Sequence, residues 1–153
     1  MRQRMMAVLV AGLLAAWCRP AAPAAAADGL SPLGVWATEG EKSHVKIEAC
    51  GDKLCGSVIW LKEPLDDKGR EKTDQHNSDE ALRARKIVGL AILSGFVPEK
   101  DEPGVWEDGK IYNPEDGKTY SCTLTVKDAS TLRVRGYVGI ALLGKTQIWK
   151  RVE

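Results

Sequence analysis

The chain has 153 residues, 44% of them hydrophobic and 28% charged, with a formal net charge of +1. Its 22 Lys and Arg are interspersed with 21 Asp and Glu, so the concentrated basic surface that nucleic-acid binding requires is missing. Beyond residue 27 no apolar run approaches the ~20 residues of a bilayer-crossing helix, and the mature protein is expected not to span a membrane.

Residues 1–27 read as a secretory signal peptide. Arg2 and Arg4 form a basic start, Met5 to Trp17 an apolar run, and Ala21 to Ala27 a small-residue stretch suited to cleavage before Asp28. Acylation at Cys18 is the alternative, but Trp17 stands where a lipoprotein signal requires a small side chain. The expected location is the periplasm or the medium. Removal of Arg2, Arg4 and Arg19 leaves a mature charge of about −2. Residues 28–153 are one domain's worth of chain.

The mature sequence reads as strands and turns. Val35 to Thr38 opens the sheet, and His44 to Ala49 alternates Val45, Ile47 and Ala49 with His44, Lys46 and Glu48. Cys50 and Cys55 flank a Gly51-Asp52 hairpin tip, and in an oxidising compartment this close pair predicts a disulfide. Leu54 to Leu61 is apolar on both faces, which predicts a strand covered on both sides. From Lys62 to Lys86 the chain is polar and lacks a strand period, with a short helix predicted through Arg85 and Asn77 as its N-cap.

Ile87 to Val97 is the most apolar segment. Gly89 and Gly95 favour a kinked strand, although the length also suits a helix. Val105-Trp106 and Lys110 to Tyr112 read as two short strands separated by an Asp108-Gly109 turn. Thr119 to Val126 alternates, with Tyr120, Cys122, Leu124 and Val126 on one face; Cys122 reads as a buried thiol. Leu132 to Val138 and Thr146 to Val152 complete roughly eight strands, the number at which an antiparallel sheet closes around a ligand-sized interior. The fold class expected is all-β, a single eight-stranded antiparallel up-and-down barrel with one long loop carrying a short helix.

Two resemblances sharpen this reading. Gly34-Val35-Trp36 near one end and Trp149-Lys150-Arg151 near the other resemble the calycin superfamily of lipocalins, fatty-acid-binding proteins and avidins. That likeness implies barrel closure by Trp36, Trp149 and Arg151, with Trp36 stacked on Arg151. The whole mature domain also resembles the DUF2147 family of exported bacterial proteins. The matching stretches include Ala49-Cys50-Gly51, Leu54-Cys55-Gly56, Asp74 with Asn77, Leu82-Arg83, Ile111 to Tyr120 and Arg135-Gly136-Tyr137. One departure is Asn77-Ser78-Asp79, where the family pattern has Asn-Pro-Asp. The resemblance implies export and a calycin-like barrel, with no assigned chemistry.

Asp74, His76, Asn77 and Asp79 are the densest polar cluster. The spacing of a calcium loop is absent and a lone His makes a poor transition-metal site, so no metal is expected, and Asp74 and Asn77 read as loop anchors. Arg133, Arg135 and Tyr137 share one strand face. Pointing inward they would clamp a carboxylate; pointing outward they leave Leu132, Val134 and Val138 to fill the core, and the outward reading is favoured. Trp60 and Tyr120 divide between pocket lining and core. The candidate ligand set is therefore Trp60, Tyr120, Arg133, Arg135 and Tyr137.

No catalytic residue is singled out, because Ser57, Ser94 and Ser121 lack a nucleophile-elbow context. No cofactor is expected. Two functions stand: binding of a small apolar or amphipathic molecule inside the barrel, or contact with a cell-envelope protein by a barrel filled with side chains. An enzyme is the lesser reading.

Overall fold

The computed structural model describes residues 30–152; the leader, its Cys18 alternative and its cleavage site lie outside them. Eight strands form one closed antiparallel meander in chain order: β1 (Gly34–Ala37), β2 (Ser43–Cys50), β3 (Lys53–Leu61), β4 (Ala91–Pro98), β5 (Val105–Asn113), β6 (Lys118–Asp128), β7 (Thr131–Tyr137) and β8 (Lys145–Arg151). This is the all-β barrel expected. The connections alternate between two ends. One end carries the β1–β2, β3–β4, β5–β6 and β7–β8 connections, and the other carries the remaining turns and the N-terminal segment.

Strand alternation sets the inside. Val45 and Ile47 of β2, Leu54 and Val58 of β3, Leu124 and Val126 of β6, and Leu132 and Val134 of β7 are all buried in one core with Trp36, Phe96 and Trp149. Trp36, Val45, Phe96, Cys122, Leu124 and Leu132 are 0% exposed, so no water-sized space adjoins them. Large side chains face small ones. Leu93 packs where Gly56 has no side chain, and the Phe96 ring occupies the position a Cβ on Gly109 would need. Burial pushes the Cys122 thiol up to about 12, which leaves it protonated and unreactive.

Several local expectations are corrected. The Asp108-Gly109 pair does not separate a pair of strands; it forms a bulge within the continuous β5, with Asp108 at φ 58°. The tertiary demand is the Phe96 ring, which only a glycine at 109 admits. Of the segment from Ile87, only residues from Ala91 join the sheet, while Ile87 and Leu90 are buried from the connection side. No helix forms there. β3 is not covered on both faces: Ile59 and Trp60 are exposed, because a bulge next to Val45 breaks the register with β2 and turns Trp60 to the outer face opposite His44. In place of a helix from Asn77, a single 3-10 turn spans Glu80–Leu82.

Cys50 and Cys55 are bonded, stapling the β2–β3 hairpin across its Gly51-Asp52 tip. The barrel closes where Trp36 pairs with Arg151 and Ala37 with Lys150. The Arg151 guanidinium lies 4.1 Å from the centre of the Trp36 ring. It also donates to the carbonyls of Ala129 (2.6 Å), Leu33 (2.6 Å) and Ser31 (2.7 Å). The Trp36 indole in turn donates to the Pro32 carbonyl at 2.7 Å. Stacking and charge-assisted bonds together predict a loss of about 2–4 kcal/mol for Arg151→Ala. Thermal denaturation should show a lowered Tm with folding retained. Arg151→Lys should recover little, because an ammonium lacks the planar fork that reaches three carbonyls.

Candidate functional site

The β3–β4 connection is built as a tongue. Isolated bridges pair Leu65 with Glu71 and Thr73 with Lys86. At its tip the Asp66 carboxylate accepts from the Lys68 and Arg70 backbone N–H groups and from the Arg70 guanidinium. Further in, Asp74 N–H donates to the Arg85 carbonyl and Ile87 N–H to the Lys72 carbonyl. The tongue then turns Ile87 and Leu90 into the core.

Its anchor is a buried carboxylate. Asp74 is 0% exposed and accepts from the Tyr112 hydroxyl at 2.5 Å, from Asn77 Nδ2 at 2.8 Å and from the Arg85 guanidinium at 2.8 Å. Asn77 Nδ2 also donates to the Tyr112 oxygen at 3.0 Å. Burial alone would raise the Asp74 pKa, but these bonds and the Arg85 charge outweigh it and hold the carboxyl below its ordinary range. The same contact, added to burial, raises the Tyr112 pKa and keeps its phenol protonated. Nearby, Arg83 Nε donates to the Asn77 carbonyl at 2.8 Å, and Gly117 of the β5–β6 turn lies so close to the His76 carbonyl that a Cβ would collide with it.

The anchor residues are thus placed together, but with different jobs from those the sequence suggested. Asp74 anchors the loop through side-chain donors on Tyr112, Asn77 and Arg85. Asn77 is not the helix cap: its Oδ1 accepts from Asp79 N–H, and Asp79 caps the 3-10 turn by accepting from Ala81 N–H. His76 and Asp79 are exposed and do not converge on Asp74. Among the described residues no group of three or more His, Cys, Asp or Glu is placed to hold a metal. Sequence reasoning missed Tyr112, Arg85 and Gly117 as partners. The signal available was that Asp74, Asn77 and the Ile111 to Tyr120 stretch all belong to the same family pattern.

The candidate ligand residues do not meet in one cavity. Arg133 and Arg135 pair with Thr125 and Thr123 on the outer face, alternating with the inward Leu132 and Val134. Arg133 donates to the Thr125 hydroxyl, and Arg135 to the Thr146 hydroxyl and the Leu142 carbonyl. Tyr137 follows on the same outer face, opposite Ser121. Trp60 stacks outside the barrel on His44 with ring centres 4.4 Å apart. Tyr120 pairs with Ile111 at the tongue end and is only partly buried, its hydroxyl bound to Asp116 at 2.6 Å. Strand parity and the β3 bulge keep these groups apart.

A closed eight-stranded meander with Gly-x-Trp on its first strand and a stacked Arg on its last defines a calycin-like barrel. The chain belongs to the DUF2147 family, described as an uncharacterized protein conserved in bacteria, whose model matches residues 34–151. Among solved structures it is similar to a protein of the human pathogen Helicobacter pylori described as belonging to the lipocalin family. That likeness has a TM-score of 0.67 and 27% sequence identity, and covers 80% of this chain and 84% of the other. No curated protein matches. The disulfide and the bacterial family are compatible with an exported protein.

Asn77→Ala removes two donations and one acceptance, a loss of about 1–3 kcal/mol concentrated in the tongue. Amide exchange should rise across residues 62–90 and stay nearly constant in β6. Equal rises in both would make the tongue belong to the global unfolding unit. The acid response follows from the depressed Asp74 pKa. Its contribution is complete above the ordinary carboxylate value near 3.9 and is lost as pH falls through the lower folded value. Tongue protection, corrected for intrinsic exchange, should therefore hold down to about pH 4 and fall below it. Asp74→Asn should abolish that step.

Proposed function

We propose that this protein is exported to the cell envelope and works as a rigid binding scaffold with a filled barrel, making its contacts through the outer surface and the connections at the tongue end. The observation that carries this reading is the packed interior: core residues from β1, β2, β4, β6 and β7 have no accessible surface. Ile87 and Leu90 are members of the same core and stop the tongue end. An eight-stranded barrel is at the size where side chains alone can fill it, and here two Trp and a Phe do so. Chemistry is not favoured, since the carboxylate and phenol of the buried cluster are consumed by each other and by Asn77 and Arg85.

Likeness to a lipocalin-family protein supports a second reading, an apolar or amphipathic ligand inside the barrel. It requires Ile87 and Leu90 to withdraw and the core to open. The two readings separate by titration with a fluorescent fatty acid, alongside native mass spectrometry of protein recovered from its own export compartment. The scaffold reading expects no one-to-one complex and no change in Trp36 or Trp149 emission. Phe96→Ala, at a cost of about 3–5 kcal/mol, opens space and serves as the control for probe uptake. A stoichiometric complex with the parent protein that perturbs the core tryptophans would establish the interior-ligand reading instead.

A further inference from the structure

The β7–β8 hairpin ends in an apolar tip that no other region of the described barrel covers. Val138, Ile140, Leu142 and Leu143 are 71, 59, 86 and 80% exposed. Elsewhere at this end Leu65 and Val88 of the tongue are exposed singly, and the rest of the connections are polar or folded onto the core. Single exposed apolar residues are ordinary, but four within six consecutive positions are not.

The hairpin's charge is as one-sided as its tip. From Ala129 to Val152 it carries Arg133, Arg135, Lys145, Lys150 and Arg151 and no Asp or Glu, although the mature chain as a whole is slightly acidic. Arg151 is spent on the seam and Lys150 lies beside Asp128 at the opposite end of the hairpin, while Arg133 and Lys145 are exposed and Arg135 lies at the base of the tip. Acids at the same end are Glu39 and Glu41 of the β1–β2 turn, Glu115 and Asp116 of the β5–β6 turn, and those of the tongue, where Glu63, Asp66, Glu71, Asp74 and Glu80 are paired with the tongue's own Lys and Arg while Asp67 and Asp79 are exposed. Glu115 is paired with Lys42, and Asp116 with Tyr120. Among the described residues the outer face of β7 and the β6 residues opposite it, Thr123 and Thr125, carry cations and no acid.

Chemistry is also ordered along the hairpin: Arg133 and Arg135, then Tyr137, then the apolar tip, then Lys145. An aromatic with a polar handle between a cationic band and an apolar end is the arrangement suited to the boundary between lipid headgroups and acyl chains. The tip is also held in shape. A 3-10 turn spans Ala141–Leu143, Leu143 N–H donates to the Ile140 carbonyl, and Arg135 donates to the Leu142 carbonyl. Six residues in a bent turn reach the interface and fall far short of a ~30 Å hydrocarbon core.

We infer that the β7–β8 tip is a membrane-docking element, inserting Val138, Ile140, Leu142 and Leu143 shallowly into a bilayer of anionic lipids while the cations of the hairpin meet the headgroups. This deepens the scaffold reading and rests on it, naming a lipid surface as the contact. Apolar insertion and charge attraction are each weak alone and become effective together.

The test is flotation of the full exported chain with vesicles of phosphatidylglycerol and phosphatidylcholine, set against phosphatidylcholine alone. The variants are Leu142→Asp/Leu143→Asp and Arg133→Glu/Lys145→Glu, with circular dichroism and Tm confirming the fold. All of them are identical outside the hairpin, so whatever the N-terminal segment contributes is the same in each. The parent should bind the anionic vesicles at least about tenfold better than the neutral ones, and weaken as salt rises from about 0.1 to 0.5 M. Each double variant should lose at least about tenfold. Anionic-vesicle binding unchanged by the Leu142→Asp/Leu143→Asp change overturns the proposal. So does a concentration-dependent dimer that this change dissociates while lipid binding is absent from the parent. Either result with the fatty-acid probe still excluded leaves the scaffold reading standing; probe uptake by the parent removes that reading itself.

Discussion

Barrel closure depends on Arg151. Only two residue pairs join β1 to β8, so the backbone ladder at the seam is short. One guanidinium compensates by acting in several directions: its face covers the Trp36 indole, and its edges reach carbonyls of the N-terminal segment and of the β6–β7 turn. The Trp36 indole returns a bond to Pro32. The last strand, the first strand, the residues preceding it and the β6–β7 turn are held at one point. That the group is always charged and planar is what allows this; a cation with a single donor direction could serve only one of these partners well.

Once the seam is shut, interior volume is decided by which side chains face in. The size of an eight-stranded barrel leaves the outcome open between a packed core and a small cavity. In this protein Trp36, Trp149 and Phe96 take the space, and glycines at 56 and 109 make the close fit possible. Large side chains are accommodated by the absence of others across the sheet. Likeness in architecture to a lipocalin-family protein therefore leaves the interior to be set by this chain's own side chains, which is the general separation between a fold and the site built on it.

The tongue end shows two opposite solutions for a loop. The β3–β4 connection buries a carboxylate and satisfies it with a phenol, an amide and a guanidinium, and it sends two aliphatic side chains into the core. Burying a charge is tolerable only with this number of partners, and the result is a loop welded to the barrel. The β7–β8 connection leaves its aliphatic side chains outside and is braced at its base by Arg135. Two loops at one end of a rigid frame thus differ in what they offer to the surroundings.

Much of the frame was legible in the sequence because it rests on short-range periodicity. Alternation in β2, β6 and β7 and the glycine-aspartate tip between two cysteines follow from local chemistry and strand geometry, while the Trp and Arg at matching ends were read from the likeness to calycins. What the sequence left undecided were features whose cause lies in a distant neighbour. Asp108-Gly109 carries a turn signal, and only the Phe96 ring across the sheet makes it a bulge. Trp60 has the hydrophobicity of a core residue, and only a register shift against Val45 turns it outward. Asn77 has the chemistry of a helix cap, and only Tyr112, 35 positions away, recruits it to a buried carboxylate. Period and turn chemistry act over a few residues and are written in them; the filling of the barrel and the partners of its buried charge are set by which strands lie face to face, and that is decided only when the chain has closed.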